Sequence, residues 1–258
     1  MTGSVRYMMG VVVLLLLPVS ASMAERLAVQ RMEDGRLYDA MGDVYDLAGV
    51  RLVEQAEEPA VHAAMQEFID GVIGGADVRF EASPFEMSGM TKNRYGDRIG
   101  VILYGENRWL EEELILRGYA VWSGRAGYPD DLRRRLVAAE RMAILEKAGL
   151  WRMRTVLDSN NPPKQYWKGQ FVIARGVVRD VHKTSARTYL NFGEDWKTDF
   201  TAAIPSSVRR KFESGGWKLS ELSNKSILIR GFVRFYNGPY LELDFPEQME
   251  IEGTANDE

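Results

Sequence analysis

The sequence predicts a mainly β protein with helices, built as two five-stranded barrels in tandem, the first carrying three packed helices. Three observations carry that expectation. Residues 27–151 hold short strand patterns interleaved with three amphipathic helical stretches. Asp158-Ser-Asn-Asn-Pro-Pro163 then blocks regular structure, and a second series of strand patterns begins at Gly169. The charge balance changes sign across the same boundary. Residues 25–163 carry 18 Lys/Arg against 24 Asp/Glu, a net of −6, whereas residues 164–245 carry 14 against 8, a net of +6.

In the first half, Leu27 to Gln30, Arg36 to Ala40 and Asp43 to Leu52 read as strands, separated by Asp34-Gly35 and Met41-Gly42-Asp43 turns. Glu57-Glu58-Pro59 opens a helix whose apolar stripe is Val61, Ala64, Met65, Phe68, Ile69 and Val72, stopped at Gly74-Gly75. Asp77 to Glu81 and the stretch after Tyr95-Gly96 are strands. Leu110 to Arg117 is a second helix ended by Gly118, and Pro129 to Ala148 a third ended by Gly149. In the second half, Gly169 to His182, Thr188 to Phe192 and Asp199 to Ile204 are strands and Ser206 to Ser214 a helix. Ile227 to Tyr236 and Tyr240 to Phe245 form a hairpin across Asn237-Gly238-Pro239. Five strands with helices placed this way suit a small closed barrel of the OB type, twice over.

The ends point outside the cytoplasm. Arg6, the apolar run Met8 to Val19 and Ser22-Met23-Ala24 compose an export signal with cleavage after Ala24. Twelve apolar residues interrupted by Pro18 fall short of the ~20 that span a bilayer, so no stable membrane anchor is expected. The chain thus divides into a signal over 1–24, a first barrel over 25–157, a linker over 158–167, a second barrel over 168–252 and an acidic tail over 253–258, with a periplasmic or secreted destination. No cysteine is present, which removes disulfides, thiolate metal sites and cysteine nucleophiles. With two histidines, a Ser/His/Asp triad or multi-histidine metal site is close to excluded.

Asn93-Arg-Tyr-Gly-Asp-Arg-Ile-Gly-Val-Ile-Leu-Tyr104, followed by a helix ending in a glycine and a last helix closing on Gly149-Leu-Trp151, resembles the thermonuclease (staphylococcal-nuclease-like) family. The resemblance covers roughly Leu27 to Trp151. It implies calcium-dependent phosphodiester hydrolysis, with two carboxylates on the metal, a glutamate activating water and two arginines on the phosphate. Carried across, those roles fall on unsuitable residues. The run Asp46-Leu-Ala-Gly-Val-Arg-Leu-Val-Glu54 places Asp46 where the family has a phosphate arginine and Arg51 where it has a metal aspartate; Glu54 alone is retained. Asp34-Gly-Arg-Leu37 puts Arg36 at the other metal position, and Asp97 stands where the second arginine follows Tyr-Gly. Four of five positions have reversed sign. A carboxylate repels a phosphate and a guanidinium cannot ligate calcium. Arg98, next in line, should point to the opposite face, and Arg94 lies before the turn. The swap therefore predicts an internal substitute in which Arg36 and Arg51 pair with Asp46 and Asp97.

The second half resembles the OB-type module that follows the nuclease domain in some exported bacterial proteins, through Thr188-Tyr-Leu-Asn-Phe-Gly193, Trp196-Lys-Thr-Asp-Phe-Thr201 and Phe245-Pro-Glu-Gln-Met-Glu250. OB barrels bind single strands by aromatic stacking in a basic groove. Tyr189, Trp196, Lys197, Arg230, Phe235 and Tyr236 are the candidates for nucleic-acid or partner contact, while Phe192, Phe200 and Phe232 read as core. The expectation is a degenerate thermonuclease-like protein without a cofactor, binding single-stranded nucleic acid, a polysaccharide or a protein. Its alternatives are an active calcium nuclease with relocated residues and a scaffold without nucleic-acid affinity.

Overall fold

A computed structural model describes residues 24–75, 77–86, 89–162, 168–195 and 197–252. The expected export signal up to Met23, the second half of the linker (163–167), the acidic tail and Trp196 lie outside the described residues. The fold is mixed α/β, with two many-stranded sheets and few helices. Among the described residues, no helix is long and apolar enough to cross a membrane.

The first half runs β1 (Glu25–Arg26), β2 (Val29–Glu33), β3 (Arg36–Asp39), β4 (Val44–Leu47), β5 (Val50–Leu52), α1 (Pro59–Gly75), β6 (Val78–Glu81), α2 (Ser83–Glu86), β7 (Arg98–Tyr104), β8 (Arg108–Trp109), α3 (Leu110–Leu116), β9 (Ala120–Trp122) and α4 (Asp130–Leu145). Its sheet has the order β1-β6-β7-β4-β3-β2, with β8 added to β7; β5 and β9 form a separate pair. The strand expected over Asp43 to Leu52 is broken at Ala48-Gly49. Gly49 has φ +83°, and a Cβ there would lie 2.5 Å from the Tyr128 ring, so the chain bends where two aromatics close on its backbone. Met65, Ile69 and Val72 of α1 are buried, as a stripe of i, i+4, i+7 spacing requires.

The second half comprises β10 (Leu157–Asp158), β11 (Phe171–Val177), β12 (Asp180–Lys183), β13 (Arg187–Asn191), β14 (Thr201–Pro205), α5 (Ser206–Ser214), β15 (Ser226–Phe235), β16 (Pro239–Glu242) and β17 (Met249–Ile251). The strand order is β10-β11-β15-β16-β14-β13-β12, with β17 on β15. The single strand expected over Gly169 to His182 is two, because Val178 leaves the ladder. Its amide donates to the Lys225 carbonyl at 3.0 Å, and its carbonyl accepts from Asn224 at 2.7 Å. The hairpin forms as expected, with Asn237 at φ +62° in its turn.

Each half has its own apolar core, and a third cluster joins them. Val53, Val121, Ala143, Leu150 and Trp151 from the first half pack with Phe171, Ile173 and Leu228 from the second. A buried charge network crosses the same seam. Arg230 of β15 is 1% exposed; its Nη1 donates to Glu140 Oε2 of α4 at 2.6 Å and to the Trp122 carbonyl at 3.3 Å, and its Nη2 donates to Glu250 of β17. The other Glu140 oxygen accepts the Trp122 amide at 2.8 Å. Arg230 was expected on a ligand-binding face; it is instead an internal strut between the halves. At the seam Gly124, with φ +73°, would place a Cβ 2.7 Å from Gln248 Cγ, so the two backbones approach closely there.

Candidate functional site: a self-neutralised polar cluster

Strand register and one turn bring three of the four expected residues, Arg36, Asp46 and Asp97, together. Arg36 on β3 lies directly across from Asp46 on β4, and Asp46 in turn faces Ile99 on β7. The turn from Asn93 to Asp97 sits over this edge. Asn93 organises it: its Oδ1 accepts the amides of Tyr95 at 2.8 Å and Asp97 at 3.1 Å, and Gly96 takes φ +89°. Asn93 Nδ2 then donates to both carboxylates, reaching Asp97 Oδ2 at 2.8 Å and Asp46 Oδ2 at 3.1 Å.

Each carboxylate also has a guanidinium. Arg36 Nε lies 3.0 Å from Asp97 Oδ2, and Arg125 Nη1 donates to Asp46 Oδ2 at 2.8 Å. Two cations, two anions and a bridging amide leave no net charge. Of the expected pairing of Arg36 and Arg51 with Asp46 and Asp97, the half that involves Arg36 is present, with Asp97; the half that involves Arg51 is not. Arg51 turns to the seam and holds Glu54 at 2.7 Å and Glu57 at 2.9 Å, because β5 follows the Gly49 bend and pairs with β9 instead of continuing β4. Against the burial that would raise it, the Arg51 guanidinium keeps the Glu57 carboxyl below its ordinary value. Glu54 is largely exposed, on the outer side of that pair. Arg98 points away, to Glu25 at 2.7 Å and the Tyr45 and Phe80 rings; Arg94 stacks on Tyr95, on whose other contact lies Arg36 at 4.8 Å.

Beneath the cluster lies Glu111, fully buried on α3. Its Oε2 accepts the Ile102 amide at 3.4 Å, and the Trp109 side chain also acts on the carboxyl. Burial raises its pKa well above the ordinary carboxylate range, against the opposing backbone amides of Glu111 and Ile102 and with the Asp46 charge adding to the rise. The linked stability is fully present below the ordinary carboxylate pKa and is lost as pH rises through the raised folded-state value. Glu111→Gln is therefore expected to gain stability over the native protein at about pH 8 and to gain less at about pH 4, read from urea midpoints. An equal difference at both would contradict a protonated Glu111.

The residues expected to contact a ligand in the second half are dispersed. Tyr189 on β13 is half-buried and stacks on His182, with centroids 6.4 Å apart. Phe235 packs partly buried against the second core and is not a free stacking face. Tyr236 is 78% exposed at the hairpin end, and the exposed Lys197 lies in the adjoining loop, since Gly238 abuts the Thr198 and Asp199 carbonyls. Phe192 and Phe200 are core, as expected; Phe232, expected with them, is 53% exposed. Three members of the first-half site were not anticipated. Asn93, before a Tyr-Gly turn, carried a local signal for an Asx turn. Arg125 in a glycine-flanked loop and Glu111 among three consecutive acids carried none.

The residues at the positions implied for calcium do not fit that ion, because two of them are guanidinium groups engaged with carboxylates. Among the described residues, no group of three or more histidines, aspartates or glutamates could hold a metal ion. No protein-family model matches the chain, and no curated protein matches it.

Proposed function

We propose that the chain is an exported protein of thermonuclease-like descent that binds a partner outside the cytoplasm and does not hydrolyse phosphodiesters. Its two β-rich halves are, on this reading, OB-type barrels, the first degenerate at its former catalytic positions. One observation carries the reading: Asp46 and Asp97 are each held by a guanidinium and share Asn93, so the place of a phosphate is filled by internal ion pairs. Removing one preorganised charge from such a centre lowers turnover by about 10²–10³; here the phosphate-binding cations are replaced by anions.

The experiment is incubation of the purified chain with labelled single-stranded DNA, with and without calcium, read for retardation and for cutting. The expected result is no nucleotide release under either condition. Calcium-dependent release abolished by a chelator would establish an active nuclease and overturn the proposal.

A further inference from the structure

Between the two halves lies an open groove of about 390 Å³, within the usual range of small-ligand sites. It is built, in the sense that its parts are held in place by groups outside it. On β15 the alternation of the strand puts Phe232 and Arg234 on the outer side and Val233 in the core. The Phe232 ring meets the buried Phe171 edge-on, with centroids 5.4 Å apart, and Arg51 lies 5.5 Å from its centroid. A large ring with over half its surface in water, fixed by neighbours from both halves, is a platform. Arg125 of the first half and Glu242, Asp244 and Phe245 of the second line it as well.

The charges of the lining decide what it fits. It carries two guanidinium groups, Arg125 and Arg234, and two carboxylates, Glu242 and Asp244. Arg125 is engaged with Asp46 at 2.8 Å, and Glu242 lies 3.5 Å from Arg187, so what remains is again one cation and one anion. Burial and the Glu242 charge raise the Asp244 pKa, with Arg234 and Lys211 opposing. A groove for single-stranded nucleic acid needs an excess of cations along the phosphates, and this one has none. Phenyl platforms flanked by both donors and acceptors suit a ligand with an apolar face and a rim of hydroxyls. Guanidinium groups donate to hydroxyl oxygens, carboxylates accept from hydroxyl hydrogens, and the C–H face of a pyranose lies flat on a phenyl ring.

We propose that this groove binds a neutral oligosaccharide, with Phe232 as the stacking platform and Arg234 and Asp244 as its polar contacts. This rests on the reading of the chain as a non-hydrolytic binding protein and names the ligand class.

The test is calorimetric titration of the full chain with maltohexaose, cellohexaose, laminarihexaose and chitohexaose, beside single-stranded DNA with calcium. At least one sugar is expected to saturate the protein, with an affinity little changed by added salt. Phe232→Ala and Arg234→Ala are each expected to weaken it about tenfold or more, while thermal unfolding of both variants stays cooperative. Binding by none of the four sugars overturns the inference, as does sugar binding that survives both substitutions. Salt-sensitive DNA binding that depends on Phe232, without sugar binding, overturns it too but leaves the non-hydrolytic reading standing. Cutting of the DNA sinks that reading separately, whatever the sugars do.

Discussion

Arg230→Ala is expected to lose about 3–5 kcal/mol of folding stability, measured by urea unfolding. The side chain is buried among carboxylates from both halves, Glu140 on α4 and Glu250 on β17. Removing it leaves Glu140 buried without its cation, while Glu250 keeps Arg141, and the penalty of an uncompensated buried charge exceeds the worth of the pair itself. The Trp122 carbonyl loses a donor as well. Arg141→Ala is the control. Arg141 also reaches Glu250, at 3.2 Å, but it is 70% exposed, and a solvated pair is worth about 0–1 kcal/mol. If both variants lost the same small amount, the halves would not be locked through Arg230. Replacing Arg230, Glu140 and Glu250 together by apolar residues of similar volume should recover most of the loss, since a packed hydrophobic set can equal a buried triad.

Gly118→Ala is expected to be nearly as damaging, at about 2–3 kcal/mol or more. Gly118 follows α3 with φ +66°, and a Cβ there would stand 2.1 Å from the Ala148 carbonyl oxygen. Gly149, with φ +47°, faces it from the end of α4, where an added Cβ would meet the Arg117 and Gly118 oxygens at 2.4 Å. These are backbone atoms, tied by the Leu150 amide donating to the Gly118 carbonyl at 3.0 Å, so neither chain can give way cheaply. Gly71→Ala, in open space within α1, provides the contrast and should gain about 0.5–1 kcal/mol from helix propensity. Equal effects at the two sites would show that Gly118 serves only as a helix stop.

What was legible in the sequence was local. The stripe of α1, the glycines after α3 and α4, helix α5 over Ser206–Ser214 and the hairpin at Asn237 follow from periodicity and turn chemistry. Strand breaks at Gly49 and Val178 were not legible, because distant groups cause them: the Tyr128 ring at one and the 224–225 backbone at the other. The same division holds at the candidate site. That Arg36 would pair with a carboxylate of the set Asp46 and Asp97 could be read. That Asp46 would take Arg125 and Arg51 would take Glu57 depends on where the chain turns after β4. Arg230 misled for a related reason. A basic residue on a strand looks like a surface cation until a glutamate from a helix of the other half arrives to pair with it in the interior.

The claim on which the proposed function depends is that Asp46 and Asp97 are already neutralised by Arg125, Arg36 and Asn93 and hold no calcium. Thermal unfolding of the purified chain with millimolar calcium, and again after chelator, tests it most directly, because any ion held by the folded state alone must raise the unfolding temperature. An unchanged transition is the result expected from carboxylates already held by Arg36, Arg125 and Asn93. A calcium-dependent rise reversed by chelator, and abolished by Asp46→Asn or Asp97→Asn, would contradict it.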